Sequence, residues 1–250
     1  MLPQNTSPME VICELPVDGH FLHDFAGSAG RVCNMAEMIV RKYRASLGDE
    51  AVSLFDLLSD CAVHLRGLIG GLETYTRILG SASVFRLAKG DELLAAALAM
   101  SGPAVSQAGV SLTRDPLPEF YCDTGQITYL FASLIENSLK FRRGDHLRLH
   151  VSAEAAGENW LFSIEDDGIG IDPSESEGIF RLFGRVHGDD YPGAGVGLAI
   201  ARQIVRRHSG SIWCESQPGN GSCFRFTLPQ RGPLEVATSN WSGGARKGAS

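Results

Sequence analysis

Apolar residues recur three and four apart along two stretches near the N-terminus. The first runs Leu22, Phe25, Ala29, Val32, Ala36, Ile39 and Tyr43; the second runs Leu54, Leu57, Cys61, Leu65, Leu68, Leu72, Tyr75 and Leu79. That spacing places each set on one stripe of an α-helix. Residues 46–50 (SLGDE) interrupt the pattern, so the two helices are expected to fold into an antiparallel hairpin. A lone hairpin leaves its apolar stripe uncovered, whereas two copies make a four-helix bundle; the pattern therefore predicts a homodimer. Beyond the linker Gly80-Ser81-Ala82-Ser83 the periodicity changes. Residues 91–100 read as a helix with an acidic cap. Residues 110–113 and 119–122 are strand-like, 124–141 are helical, and 146–153 and 160–165 alternate as strands. A further helix is expected over 196–208, then strands over 211–215 and 222–228 around the hairpin turn Pro218-Gly219-Asn220-Gly221. The expected class is α+β: a two-helix hairpin followed by an α/β sandwich, a mixed sheet covered by helices on one face. The boundaries fall at 1–18 (irregular), 19–80 (hairpin), 84–229 (sandwich) and 230–250, a small polar tail expected to be disordered.

Composition narrows the function classes. With 44% hydrophobic and 20% charged residues, the chain is neither wholly disordered nor a coiled-coil rod. A net charge of −7 argues against nonspecific nucleic-acid binding, which needs clustered Lys and Arg. The longest apolar run, 93–100, falls far short of the roughly 20 residues of a membrane span. The opening MLPQNTSPMEV lacks the basic and apolar regions of a signal peptide, so a cytoplasmic location is expected. Cys13, Cys33, Cys61, Cys122, Cys214 and Cys223 form no C-x-x-C pair and read as buried thiols. Glycine is in excess, 29 of 250, and eight of these lie from Gly168 to Gly197, which marks one glycine-rich loop over 168–195.

The chemistry concentrates around that loop. Asp166-Asp167-Gly168-Ile169-Gly170 follows a strand, so a carboxylate at the strand end can accept from an exocyclic amine while Gly168 and Gly170 let backbone approach a ligand. Upstream, a helix over Leu134-Ile135-Glu136-Asn137-Ser138-Leu139-Lys140-Phe141 presents Asn137 and Lys140 on one face; an amide oxygen suits Mg²⁺ and an ammonium suits phosphate. Downstream, the Gly193-Ala194-Gly195-Val196-Gly197-Leu198 run opens a helix, which offers free N–H groups and the positive end of the helix dipole to an anion.

These segments, with Ile179-Phe180-Arg181-Leu182-Phe183, resemble the N, G1, F and G2 boxes of sensor histidine kinases, whose Bergerat ATP site is shared with gyrase and mismatch-repair ATPases. Tyr191-Pro192 and the segment 212–229 look most like phytochrome-linked kinases. The resemblance implies that Asp166 reads the adenine amine, Asn137 holds Mg²⁺, Lys140 meets phosphate, and Gly193, Gly195, Gly197 and Leu198 wrap the triphosphate of ATP. Arg181 and Arg185 are candidates for neutralising the γ-phosphate. An H box is also implied, and His23-Asp24-Phe25 fits H-[DE]-[LF] on the first helix. A neutral imidazole is a competent nucleophile towards phosphorus at neutral pH, and Asp24 could accept its Nδ1 proton. His64, His146, His150, His187 and His208 lack metal-ligand spacing and read as structural, with His187 a weaker candidate for touching phosphate.

The implied protein is a two-component kinase that autophosphorylates His23 and passes the phosphoryl group to an aspartate of a response-regulator receiver domain. Two departures keep an alternative open. Ser28 stands where the family usually has proline, inside Ala26-Gly27-Ser28-Ala29-Gly30, and Ser133 stands where a second asparagine is usual. They motivate a phosphotransferase or scaffold of the same fold with impaired kinase activity; a Bergerat-type protein-serine kinase is the more distant alternative. Only 18 residues precede the first helix, which implies a fragment, or a kinase signalled by a separate sensor protein.

Overall fold

The computed structural model describes residues 19–43, 48–80, 82–102, 109–184, 191 and 195–231. Helices α1 (Gly19–Tyr43) and α2 (Asp49–Gly80) form the hairpin. They meet through small side chains. Ala29, Cys33 and Ala36 of α1 and Ala62 of α2 are buried, and the Cys33 thiol donates to the Ala62 carbonyl at 2.9 Å. This close seam rotates the helices away from the single stripes predicted from periodicity. On α2 the buried set is Ala62, Ile69, Tyr75 and Ile78, while Leu54, Leu57 and Leu58 stay exposed; on α1, Val32, Met35 and Met38 are exposed. Each helix thus carries two apolar faces, one closing the hairpin and one uncovered within the single chain. The reading of every cysteine as buried is also corrected. Cys61 lies on the outward face of α2 and is exposed, Cys214 and Cys223 are half-buried, and Cys33 and Cys122 are buried; Cys13 lies outside the described residues.

The rest of the chain runs β1 (Arg86–Lys89), α3 (Gly90–Met100), β2 (Val110–Arg114), β3 (Glu119–Cys122), α4 (Thr124–Lys140), β4 (Leu147–Ala156), β5 (Asn159–Asp166), two 3₁₀ turns (Pro173–Glu175 and Gly178–Phe180), α5 (Gly197–Arg207), β6 (Ile212–Ser216) and β7 (Ser222–Pro229). The main sheet has the order β2-β4-β5-β7-β6, parallel between β2 and β4 and antiparallel elsewhere. Strand β1 is absent from the sequence reading. Its four residues are mostly exposed and give no apolar alternation; pairing with β3 alone makes it a strand. The N-cap of α3 is Lys89, without a side-chain cap bond, so the expected acidic cap is also corrected: Asp91 sits in the first turn and pairs with Arg114.

One face of the sheet is the core. Leu149, Val151, Phe162, Ile164, Phe224 and Phe226 are fully or almost fully buried there. Phe162 stacks on Phe226 at 4.9 Å, and Phe131 of α4 meets both rings edge-on. Each ring so buried contributes about 1.5–3 kcal/mol. The opposite face carries exposed Arg148 and Glu165. Because side chains alternate along a strand, Asp166 falls in the core-facing row, level with Leu149 and Ser222 on the neighbouring strands.

A dense polar joint ties the hairpin to this sandwich. The Arg207 guanidinium at the end of α5 donates to the Ile78 carbonyl of α2 at 2.6 Å and to the Ser83 hydroxyl at 3.1 Å. Gln126 reaches the same hydroxyl at 3.1 Å, and Gln203 donates to the Tyr75 hydroxyl at 3.2 Å. His208 is buried beside Phe85, ring centroids 4.9 Å apart. Its Nε2 accepts from the Asp123 backbone N–H at 3.0 Å, which fixes the proton on Nδ1, 2.8 Å from the Ile204 carbonyl. Burial lowers its pKa, in keeping with a neutral ring and with the structural role predicted for it.

Candidate functional site

Helix α4 organises the site. Asp123 caps it, its carboxylate accepting from the Gln126 backbone N–H at 3.1 Å. Ser133, Asn137 and Phe141 follow at intervals of four, so they lie on one stripe, about 6 Å apart along the axis. Both ends of the stripe touch glycine backbone. At one end a Cβ on Gly197, the first residue of α5, would sit 2.8 Å from the Ser133 hydroxyl. At the other end Ile169 N–H donates to the Phe141 carbonyl at 2.9 Å, and a Cβ on Gly168 would sit 2.6 Å from that carbonyl. Asn137, half-buried, therefore lies between the 166–170 turn and the start of α5. The small Ser133 lets Gly197 come this close to α4.

Asp166 ends β5 beside α4. Its Oδ2 accepts from the Ser138 hydroxyl at 2.9 Å, and its Oδ1 accepts from the backbone N–H groups of Gly168 at 2.9 Å and Ser222 at 3.1 Å. Burial pushes its carboxyl above the usual range against these three bonds, which favour the charged form. Asp167 turns the other way. Its two oxygens take the Arg148 backbone N–H and Nε, each at 2.8 Å, and these bonds outweigh desolvation and hold its carboxyl below the usual range. Of the two adjacent carboxylates, only Asp166 is aimed at the helix side. Gly170 has φ +75°, and a Cβ there would collide with the Gln217 carbonyl; the turn requires glycine. Gly219 N–H donates to the Ile169 carbonyl at 2.7 Å and ties the β6–β7 hairpin to the same turn.

Lys140 holds its ammonium 4.7 Å from the centre of the Phe141 ring, and Tyr191 packs 4.9 Å from that ring on its own account. Gly195 has φ +68° and lies against the Gly184 carbonyl and the Phe183 backbone. Helix α5 begins at Gly197, one residue after the predicted start; its N-cap, Val196, makes no side-chain cap bond, so first-turn N–H groups are available to an anion. Leu198 is half-buried and packs on the core. Arg181 is exposed at the end of its 3₁₀ turn. Arg185, Gly193 and His187 lie outside the described residues. His23 and Asp24 are on α1, in the N-terminal part of the helix. His64 is exposed on α2, and His150 contacts Thr113 and Asp115 across the open sheet face.

The structure thus brings Asn137, Asp166, Gly168, Gly170, Gly195 and Gly197 around one end of α4. Sequence reasoning missed Ser138, which orients the carboxylate, and Gly221, where a Cβ would collide with the Asp166 carbonyl. Both signals were legible, as the residue after Asn137 and the second glycine of the hairpin turn. A cleft of about 570 Å³ opens beside Asp166 towards β6 and β7; Asp166, Glu165 and Glu215 are among its lining residues, and their carboxylates disfavour a polyphosphate there. Among the described residues no group of three or more His, Cys, Asp and Glu could hold a metal ion. Nor is any described helix long and apolar enough to cross a membrane.

Residues 122–232 match the family described as histidine kinase-, DNA gyrase B- and HSP90-like ATPase. The chain is 35% identical over 211 residues, 84% of its length, to cyanobacterial phytochrome A of Nostoc sp. strain PCC 7120. It is 30% identical over 208 residues, 83% of its length, to the phytochrome-like protein Cph1 of Synechocystis sp. strain PCC 6803. It spans 28% of the length of each of these relatives. Among solved structures, full-length ShkA in complex with AMPPNP superposes with a TM-score of 0.59 at 24% identity, over 84% of this chain and 44% of that one. The histidine kinase AdeS of Acinetobacter baumannii gives 0.59 at 20% identity, over 80% and 94% respectively. These two share the fold.

Proposed function

Because the chain is a sensor histidine kinase core, we propose that it binds ATP at the end of α4, transfers the γ-phosphoryl group to His23, and passes it on to an aspartate of a response-regulator receiver domain. The observation that carries the reading is the placement of Asn137 between the Asp166–Gly170 turn and the uncapped start of α5, with the Asp166 carboxylate held by three donors. In this reading Asp166 Oδ2 accepts from the adenine amine. The first turn of α5 and Lys140 receive phosphate oxygens, with Arg185, Gly193, Gly195, Gly197 and Leu198 completing the wrap. Asn137 suits Mg²⁺, a hard ion that takes one or two protein oxygens and leaves its other positions to water and phosphate. When bound, the ion would neutralise charge developing on the phosphates.

The transfer itself is a displacement at phosphorus. The unprotonated ring nitrogen of His23 attacks, an N–P bond forms, and the P–O bond to ADP breaks, ADP leaving with the electron pair. The proton on the other ring nitrogen passes to Asp24. Two chains pair through the uncovered apolar faces of α1 and α2, which leaves the receiver domain to dock along the bundle near His23. The input comes from a sensor, on the same longer chain or on a separate protein.

Labelled ATP with Mg²⁺ tests this directly. The protein should acquire label that survives base and is lost in acid, as a phosphoramidate is, and His23→Gln should abolish it while His64→Gln leaves it. Tight ATP binding without label would favour the scaffold reading. Acid-stable label on serine or threonine would favour the protein-serine kinase.

A further inference from the structure

Helix α2 contains two adjacent glycines in its interior, Gly70 and Gly71, which helix propensity disfavours and the hairpin seam does not need. The structure supplies a reason for the second. Val196, the residue before α5 in the glycine-rich loop, lies against Gly71 so closely that a Cβ there would collide with both of its methyl groups. Gly71 is thus a notch in the hairpin, filled by the loop proposed to hold phosphate. The polar joint described above, Arg207 on the Ile78 carbonyl and Gln203 on the Tyr75 hydroxyl, continues the same contact one and two turns further along α2.

The register of the hairpin gives the notch its meaning. The Cys33–Ala62 bond marks one level shared by α1 and α2. His23 lies ten residues before Cys33 and Gly71 nine residues after Ala62. At a rise of about 1.5 Å per residue, in antiparallel helices, these positions are about 15 and 13.5 Å from that level in the same direction. The loop therefore docks on its own hairpin at the height of its own His23. Resting on the kinase reading above, we infer that Gly71 is a positioning residue, a notch that seats the phosphate loop on the hairpin at the height of the acceptor histidine.

Labelling with ATP and Mg²⁺ tests the notch, and no acid-labile label on the wild-type protein overturns the kinase reading and this inference with it. Gly71→Ala suits a helix better than glycine, so a merely structural role predicts an unchanged or firmer protein with full labelling. We expect labelling to slow about ten- to a hundredfold, the scale of a 1 Å misplacement, with ATP affinity unchanged, and Val196→Ala added to Gly71→Ala to restore most of it. Full labelling by Gly71→Ala alone, or no recovery in the double variant, removes Gly71 from its role.

Discussion

Replacing Asp166 by Asn isolates the charge proposed to read the adenine amine, and the surrounding bonds dictate how the amide must sit. Two backbone donors, Gly168 N–H and Ser222 N–H, converge on Oδ1. The amide oxygen must take that position, since an NH₂ group there would face two donors. The NH₂ group is then forced to the Oδ2 position, where Ser138 can accept from it and turn its own hydroxyl to the Leu134 carbonyl, already 3.3 Å away. The fold keeps its bonds, but an incoming amine meets a donor instead of an acceptor. A hydrogen bond to a charged group is worth about 1.5–3 kcal/mol, so affinity for ATP should fall roughly ten- to a hundredfold. Stability should move the other way or not at all. Burial raises the Asp166 carboxyl, so the folded state holds that proton more tightly than the unfolded chain, and the group opposes folding increasingly as pH rises from the ordinary carboxylate value through the raised one. At neutral pH the buried charge is a cost that the neutral amide lacks. Titration calorimetry with ATP, paired with denaturant unfolding, reads both quantities. Unchanged affinity would refute the adenine assignment, and a collapse in stability would show that the carboxylate serves the fold instead.

Two further outcomes are expected. Gly170→Ala should lower the denaturant midpoint, by the equivalent of about 1–3 kcal/mol or more, because its φ of +75° and the Gln217 carbonyl both exclude a side chain; a midpoint equal to wild type would contradict the geometry of the turn. Light scattering of the full chain should report two copies, and Met35→Glu with Leu57→Glu, both on exposed apolar positions, should report one; a dimer that survives both charges would place the interface elsewhere.

Much of this was legible along the chain. Asp166, Gly168 and Gly170 stand out because a carboxylate and two glycines at a strand end have few uses, and the β6–β7 hairpin was marked by its Pro-Gly-Asn-Gly turn. What escaped depended on partners distant in sequence. Strand β1 has no apolar alternation and exists through β3. The stripes of α1 and α2 were misassigned because Leu54 and Leu57 are as apolar as Ile69 and Ile78, and only the seam through Ala29, Cys33, Ala36 and Ala62 decides which face closes the hairpin. Ser133 read as a missing amide; in space it is the small side chain beneath Gly197. Nothing along the chain singles out Gly71, since the valine that fills it comes more than a hundred residues later.

Arg207 also has a mechanical consequence. Its guanidinium sits on the Ile78 carbonyl within the last turn of α2, while the other end of α5, ten residues or about 15 Å away, is Gly197 on the α4 stripe. A helix bonded internally along its length is stiff, and α5 is held to α2 at both ends, by Val196 in the Gly71 notch and by Arg207 on Ile78, with Gln203 on Tyr75 between them. Torsion of α2 about its axis would therefore carry α5 with it as one body across the face of α4 on which Asn137 stands.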